Sequence, residues 1–261
     1  MEIIESSPGF PQKTVRRLLQ LMDGIQWPGP IDTPVSNPVM STGINSQFQG
    51  IFLWTHTRLR ILLIPLLLYR SLGANPFHAL SCIQEVGNGS ETNTAFQILH
   101  AEPVPWTPQT LAEILKAKWG PNYLGAAQAL LDGNRVILPP RENPHEIAKN
   151  LLFLLPLANR LEIGLTLLPS VNNKNFQIQT EMPGKSGKEE PGAVLFSQAG
   201  DYPEGKFEYS LQWAVENEDL YELNRLYFRK TTTQVFWFAC GLLAIVSLVP
   251  MALQLIKLLF P

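Results

Sequence analysis

The stretch VFWFACGLLAIVSLVPMALQLI, residues 235–256, holds no Asp, Glu, Lys or Arg and decides how the rest of the chain is interpreted. At about 1.5 Å of rise per residue, the roughly 21 residues from Val235 to Leu255 form a helix about 31 Å long. A bilayer has a hydrocarbon core of about 30 Å, and the apolar side chains together favour the bilayer by several kcal/mol. The stretch therefore predicts a transmembrane helix.

A buried core helix is the alternative interpretation of the same stretch. An uncharged helix that is apolar on every side is hard to cover in a domain of this size, which favours the membrane interpretation. The predicted anchor consists of the large apolar side chains of the stretch, namely Val235, Phe236, Trp237, Phe238, Leu242, Leu243, Ile245, Val246, Leu248, Val249, Leu253 and Leu255.

The charges that flank this stretch predict an orientation. Arg225, Arg229 and Lys230 precede it, whereas only Lys257 follows it. Because positive flanks tend to stay on the cytoplasmic side, we expect a single-pass protein of the cell membrane with its globular part in the cytoplasm. The first ten residues, MEIIESSPGF, are acidic and lack the apolar run of a signal peptide.

The composition is that of a folded domain with one added apolar segment. The chain has 261 residues, of which 45% are hydrophobic and 16% charged, values that argue against a largely disordered protein. The net charge of −2 provides no general attraction for nucleic acid, so no nucleic-acid partner is expected. Cys82 and Cys240 form no obvious disulfide framework, which fits a reducing compartment.

The periodicity divides the chain into segments and predicts an α+β or α/β fold. Strong helix starts are expected at Thr107-Pro108 and at Asn143-Pro144, where a capping side chain is followed by a proline. The helical pattern from Lys206 to Lys230 divides into two pieces, and Asp219 can cap the second. Hairpin-type turn residues at 170–173 separate two predicted strands, 161–168 and 176–180. The predicted organisation is an N-terminal helix with a proline-rich loop (1–49), a mixed α/β domain (50–200), a juxtamembrane helical segment (201–230) and the C-terminal anchor (231–261).

The motifs of common catalytic chemistries are missing from the sequence. Gly184-Lys185-Ser186 resembles part of a P-loop, but Gln179 stands where the phosphate cradle needs its first glycine. The four histidines, His56, His78, His100 and His145, are dispersed and form no metal-ligand pattern. We therefore expect no cofactor and no metal, and the sequence assigns no catalytic residue.

One region of the chain resembles a known group of proteins. The order GNRVILPP, then a Leu-rich helix ending in Leu154-Leu155-Pro156, then Arg160 and the apolar segment 161–168, is similar to the middle region of bacterial GTPase-associated proteins. The resemblance covers about a fifth of the chain, from Asn134 to Gly184, and contains no catalytic residue. It implies an accessory or adaptor role beside a GTPase in a multi-protein bacterial system.

These observations lead to a functional hypothesis with two alternatives. The leading hypothesis is a membrane-tethered binding or scaffolding (adaptor) protein whose partners are the lipid bilayer and other proteins, a GTPase among them, because tethering raises the effective concentration of a partner. One alternative is a membrane-anchored enzyme whose site combines dispersed residues such as His56, His100 or His145 with carboxylates. The other is a subunit whose span packs against other spans near Gly241 and Ala244.

Overall fold

The computed structural model of the chain describes residues 39–43, 47–55, 58–86, 95–98, 104–140, 142–169, 176–180 and 191–259. The helix and proline-rich loop predicted before residue 39 lie outside the described residues, as do His56 and His100.

The strands form one large sheet and one small sheet. Seven strands make the large sheet in the order β3-β2-β1-β7-β8-β6-β9, and β4 pairs with β5 separately. Their bounds are β1 Val39–Gly43, β2 Phe48–Thr55, β3 Arg58–Pro65, β4 Ile83–Val86, β5 Ala95–Ile98, β6 Arg135–Leu138, β7 Leu165–Pro169, β8 Ile178–Thr180 and β9 Ala193–Leu195. Strand β1 lies before residue 50, where the α/β domain was expected to begin.

Groups of one to three strands alternate with pairs of helices up to β9, and the remaining helices then follow one another. Their bounds are α1 Leu66–Ser71, α2 Pro76–Ser81, α3 Pro108–Lys116, α4 Gly120–Leu131, α5 Pro144–Leu154, α6 Leu157–Glu162, the 3-10 helix η1 Phe196–Asp201, α7 Lys206–Glu216, α8 Leu220–Tyr227 and α9 Thr232–Leu259. The two-piece helical pattern expected between residues 206 and 230 is confirmed by α7 and α8.

The large sheet is antiparallel on one side and parallel on the other. Strand β1 pairs antiparallel with both β2 and β7, whereas β7, β8, β6 and β9 run parallel to one another. A mixed α/β domain is therefore confirmed. The hairpin expected between β7 and β8 is wrong, because Leu165 pairs with Ile178 in a parallel register, and the composition of a turn does not fix the direction of the strands around it.

The core lies between one face of this sheet and the helices. The register places Ile51, Ser41, Leu165, Ile178 and Val136 in one row across five strands, and all five side chains are at most 2% exposed. Helix α4, which contacts β6 of this sheet, is buried along almost its whole length. Such a helix must be apolar on every side, which explains its Ala-rich sequence.

Local capping signals set the start of three helices, as expected. Thr107 accepts a hydrogen bond from the Thr110 N–H at α3, and Asn143 accepts one from the Glu146 N–H at α5. Asp219 caps α8 in the same way. By contrast, the strand expected over 161–168 begins only at Leu165, because the residues after Pro156 first form helix α6.

Helix α9 occupies the stretch that was expected to cross a membrane. In the part of the chain that the structure describes, no helix is both long enough and apolar enough to do so. For these residues, the prediction of a single-pass, C-terminal membrane anchor is wrong.

The residues assigned to the anchor all lie within α9. Those from Val235 to Val246 are exposed. Leu248, Val249, Leu253 and Leu255 belong to the same helix, and their side chains lie outside the described ones.

Candidate interaction surface

Helix α9 presents apolar side chains to its surroundings on every side. Eight of them are between 48% and 69% exposed: Val235, Phe236, Trp237, Phe238, Leu242, Leu243, Ile245 and Val246. Successive residues of a helix point about 100° apart, so a run such as Val235 to Phe238 already surrounds the axis. This set of eight side chains is called the α9 surface below.

The α9 surface is larger than the apolar patches that folded monomers usually carry. An aromatic side chain covers roughly 150–250 Å², so the three exposed rings contribute on the order of 400 Å², and the five aliphatic side chains add a similar amount. The largest patch on a typical monomer measures about 300–600 Å². A standard protein interface buries about 800 Å² on each partner, so the α9 surface has the size of an interface.

Basic residues stand at the start of this surface. Arg229 and Lys230 are exposed, and the Lys230 Nζ lies 4.9 Å from the centroid of the Phe238 ring. Arg225 forms an ion pair with Glu222 on the same helix, α8. The three charges that were expected to set the membrane orientation therefore lie on or just before the segment that leads into α9.

Residues 228–231 connect α8 to α9 and are called the α8–α9 junction here. Thr231 is 4% exposed, although Phe228, Arg229 and Lys230 before it are exposed. Its Oγ1 donates to the Glu162 Oε1 at 3.1 Å and accepts from the Gln234 N–H at 3.3 Å. Thr231 therefore caps α9 and also ties it to α6.

Arg160 of α6, which is 3% exposed, lies against the end of α8, just before the junction. Its Nε donates to the Leu155 carbonyl at 2.7 Å, its Nη1 to the Gly73 carbonyl at 3.0 Å, and its Nη2 to the Phe153 carbonyl at 2.6 Å. Among the described residues no carboxylate pairs with it. Burial lowers the pKa of Arg160 to about 10, while Tyr227 and Tyr69 act in the opposite direction, so the guanidinium stays charged near neutral pH.

Two aromatic rings lie against this guanidinium. The Arg160 Cζ lies 5.4 Å from the centroid of the Phe153 ring and 5.2 Å from that of Tyr227, the last residue of α8. Trp106 also lies against Tyr227, with ring centroids 5.2 Å apart, and its Nε1 donates to the Phe153 carbonyl at 2.8 Å. The last residue of α8 thus contacts both an arginine and a tryptophan.

Arg160 entered the sequence-based predictions only within the resemblance, and no contact was predicted for Arg160, Glu162 or Thr231. A signal for Thr231 was present, because Thr231-x-x-Gln234 is the capping-box pattern of a helix start. No local signal exists for Glu162, which lies 69 residues from Thr231 along the chain. The sequence signal for Arg160 was its position inside the largely apolar run LLPLANRLEIGL, because an arginine buried there needs several hydrogen-bond acceptors.

The histidines that the structure describes take part in packing contacts. The His145 ring lies 4.4 Å from the Phe77 ring, edge to face, and burial followed by the charge of Lys149 lowers the pKa of His145. The Cys82 thiol donates to the His78 carbonyl at 2.9 Å. In the described ranges no three His, Cys, Asp or Glu side chains gather closely enough to hold a metal ion.

A polar cluster at the end of α4 has a structural explanation as well. The Tyr202 hydroxyl donates to the Asp132 Oδ2 at 3.1 Å and accepts from the Asn134 Nδ2 at 2.8 Å. Burial and the neighbouring Asp132 carboxylate raise the pKa of Tyr202, so its hydroxyl remains protonated at neutral pH. These bonds join the ends of α4 and η1 to the start of β6.

No protein-family model, no curated protein and no solved structure matches this chain.

Proposed function

We propose that this chain is a binding or scaffolding protein that acts through protein–protein contacts, with the α9 surface as its principal contact. The supporting observation is the exposure of eight large apolar side chains on one helix. Exposed apolar patches of this size mark interaction sites, and the aromatic residues and arginines found here are the types that contribute most to binding at interfaces.

The charges beside the surface restrict the kind of partner. Arg229 and Lys230 are exposed and favour a partner that carries carboxylates beside its apolar contact, because complementary charge speeds association and selects partners. The resemblance of the middle region to GTPase-associated proteins adds a GTPase as the partner class to test first. The exposed basic residues and the resemblance are independent arguments, and the binding proposal does not require the GTPase.

The test is affinity purification from cells with four versions of the chain. They are the full chain, a chain truncated after Lys230, a Trp237→Asp variant and a Tyr221→Asp variant. Trp237 is 69% exposed on α9, and Tyr221 is 79% exposed on α8, so the last variant is a matched control for adding a charge to an exposed aromatic position. We expect the same stoichiometric partner with the full chain and with Tyr221→Asp, and its loss from the other two.

Two further measurements separate the possible results. The purified full chain is mixed with phosphatidylcholine vesicles and floated on a density gradient, and the partner fraction is assayed for GTP hydrolysis. A chain that floats with the vesicles and retains no protein partner would contradict the proposal. Partner binding that survives truncation would also contradict it, whereas a partner without GTPase activity would remove only the GTPase assignment.

A further inference from the structure

Helix α9 is attached to the domain at a single buried position. Among the described side chains from residue 228 to residue 247, only Thr231 is buried, and Cys240 alone is intermediate. A helix that packs along a domain buries a stripe of side chains over several turns. Helix α9 buries none in the range 233–247, so its direction relative to the domain depends on what happens at the α8–α9 junction.

Two residues of α6 contact the chain at the end of α8 and at the junction. Arg160 lies over the ring of Tyr227, just before the junction, and Glu162 accepts the hydrogen bond of Thr231 at its end. Helix α6 is itself fastened to the domain, because Arg160 also donates to the Phe153, Leu155 and Gly73 carbonyls. A short helix thus connects the junction to the core.

The two contacts differ in how easily they can be broken. Arg160 is buried and its donors are shared among three carbonyl groups, so its release would leave buried acceptors without a donor. Glu162 is exposed, and the contact is one hydrogen bond between a hydroxyl and a carboxylate that water or a partner's cation can reach. The Thr231–Glu162 bond is therefore the contact that opens first.

We propose that the Thr231–Glu162 hydrogen bond is a latch that sets the direction of α9. With the bond made, α9 is a rigid extension of the domain; with the bond broken, α9 turns about residues 228–230, while Arg160 still holds the end of α8. This role is independent of what the α9 surface binds, so it can fail or succeed separately from the proposed function.

The test measures the distance between a spin label on α9 and one on the domain. Cys240 in α9 carries one label and a Gln109→Cys substitution on α3 carries the other, since Gln109 is exposed and the remaining native thiol, Cys82, is buried. The full chain is studied in a mild detergent that covers the α9 surface. The variants are Glu162→Ala, Glu162→Gln and, as a matched control, Thr233→Val, which changes an exposed threonine of the first turn.

We expect one narrow distance distribution for the parent chain and a second population at a shifted distance for Glu162→Ala. Glu162→Gln should restore the single population, because an amide oxygen still accepts the Thr231 hydrogen bond, and Thr233→Val should not change it. All variants should keep the parent's thermal midpoint, which separates loss of the latch from loss of the fold. A single unshifted population for Glu162→Ala, or a parent chain with several populations, would overturn the proposal.

Discussion

Replacing Arg160 by methionine tests whether the buried guanidinium holds the domain together around α8. Methionine has a similar length and fills most of the space without a charge. The substitution removes the donors to the Leu155 and Gly73 carbonyls, whereas the Phe153 carbonyl keeps the Trp106 Nε1 as a donor. The contacts of the guanidinium with the rings of Phe153 and Tyr227 are lost as well.

The expected magnitude follows from this count. Each buried carbonyl that loses its donor costs roughly 1–3 kcal/mol, and the two ring contacts contribute about 0.5–2 kcal/mol each. The methionine variant avoids the desolvation of a buried cation, which offsets several kcal/mol of this sum. We expect a net loss of about 3 kcal/mol in the free energy of unfolding, a large part of the roughly 5–15 kcal/mol that stabilises an ordinary domain.

The assay is urea unfolding at neutral pH followed by far-ultraviolet circular dichroism, with the slope against urea compared between variants. Arg225→Met is the matched control, because Arg225 is exposed and its carboxylate partner Glu222 lies on the same helix; we expect its effect to stay within about 0.5 kcal/mol. Arg160→Lys should resemble Arg160→Met, since lysine lacks the planar fork that reaches three carbonyls. A loss for Arg160→Met no larger than that of Arg225→Met would refute the reasoning.

Three further predictions concern the core and its titrating groups. Gly125→Ala should destabilise the domain by about 2–3 kcal/mol in the same urea assay, because the new methyl group would overlap the Ala199 carbonyl oxygen. Gly241→Ala is the control: its methyl group meets no atom within 4 Å, so it should leave the urea midpoint unchanged or raise it. Because the pKa of His145 is lowered in the folded chain, the unfolded chain binds a proton at this imidazole at higher pH than the folded chain does. Stability should therefore fall as the pH drops below about 6.5. His145→Gln should weaken this pH dependence in thermal melts, and an identical pH profile would contradict the prediction. Burial raises the pKa of Glu208, whose Oε2 has no hydrogen-bond partner among the described residues. Glu208→Gln should therefore raise the thermal midpoint at pH 7, and this gain should disappear below about pH 4.5, where the carboxyl is protonated in both the folded and the unfolded chain. An equal gain at both pH values would contradict this prediction.

Local signals in the sequence predicted the starts of helices accurately. Thr107, Asn143 and Asp219 each accept a hydrogen bond from an N–H three residues further on. Such a bond needs only residues of one turn, so the pattern that specifies it is complete within a short window of sequence. The same holds for the mixed α/β class, which follows from the alternation of helical and strand periods.

Pairings between distant residues could not be predicted in this way. The Arg160 hydrogen bond to Gly73 spans 87 residues and the Thr231 bond to Glu162 spans 69, so neither leaves a pattern in any short stretch. Strand direction could not be predicted for the same reason. The sequence of β7 and β8 resembles that of a hairpin, but in the sheet the two strands are parallel. The periodicity of 161–168 was ambiguous because an apolar run satisfies both a helix and a strand.

The apolar stretch at 235–256 was correctly expected to be helical. Its assignment to a membrane span was wrong for the residues that the structure describes. Hydropathy reports that a helix needs an apolar contact and does not identify the contact. In the structure, the apolar side chains from Val235 to Val246 are exposed, which indicates the same need for an apolar contact.

The most direct test of the account is amide hydrogen exchange of α9 in the co-purified complex and in the chain released from it. If the α9 surface is the protein contact, residues 233–247 should exchange more slowly in the complex, while α3, on the domain, should exchange at the same rate in both. Equal exchange of 233–247 in the two samples would mean that the partner binds elsewhere, and the central claim would be wrong.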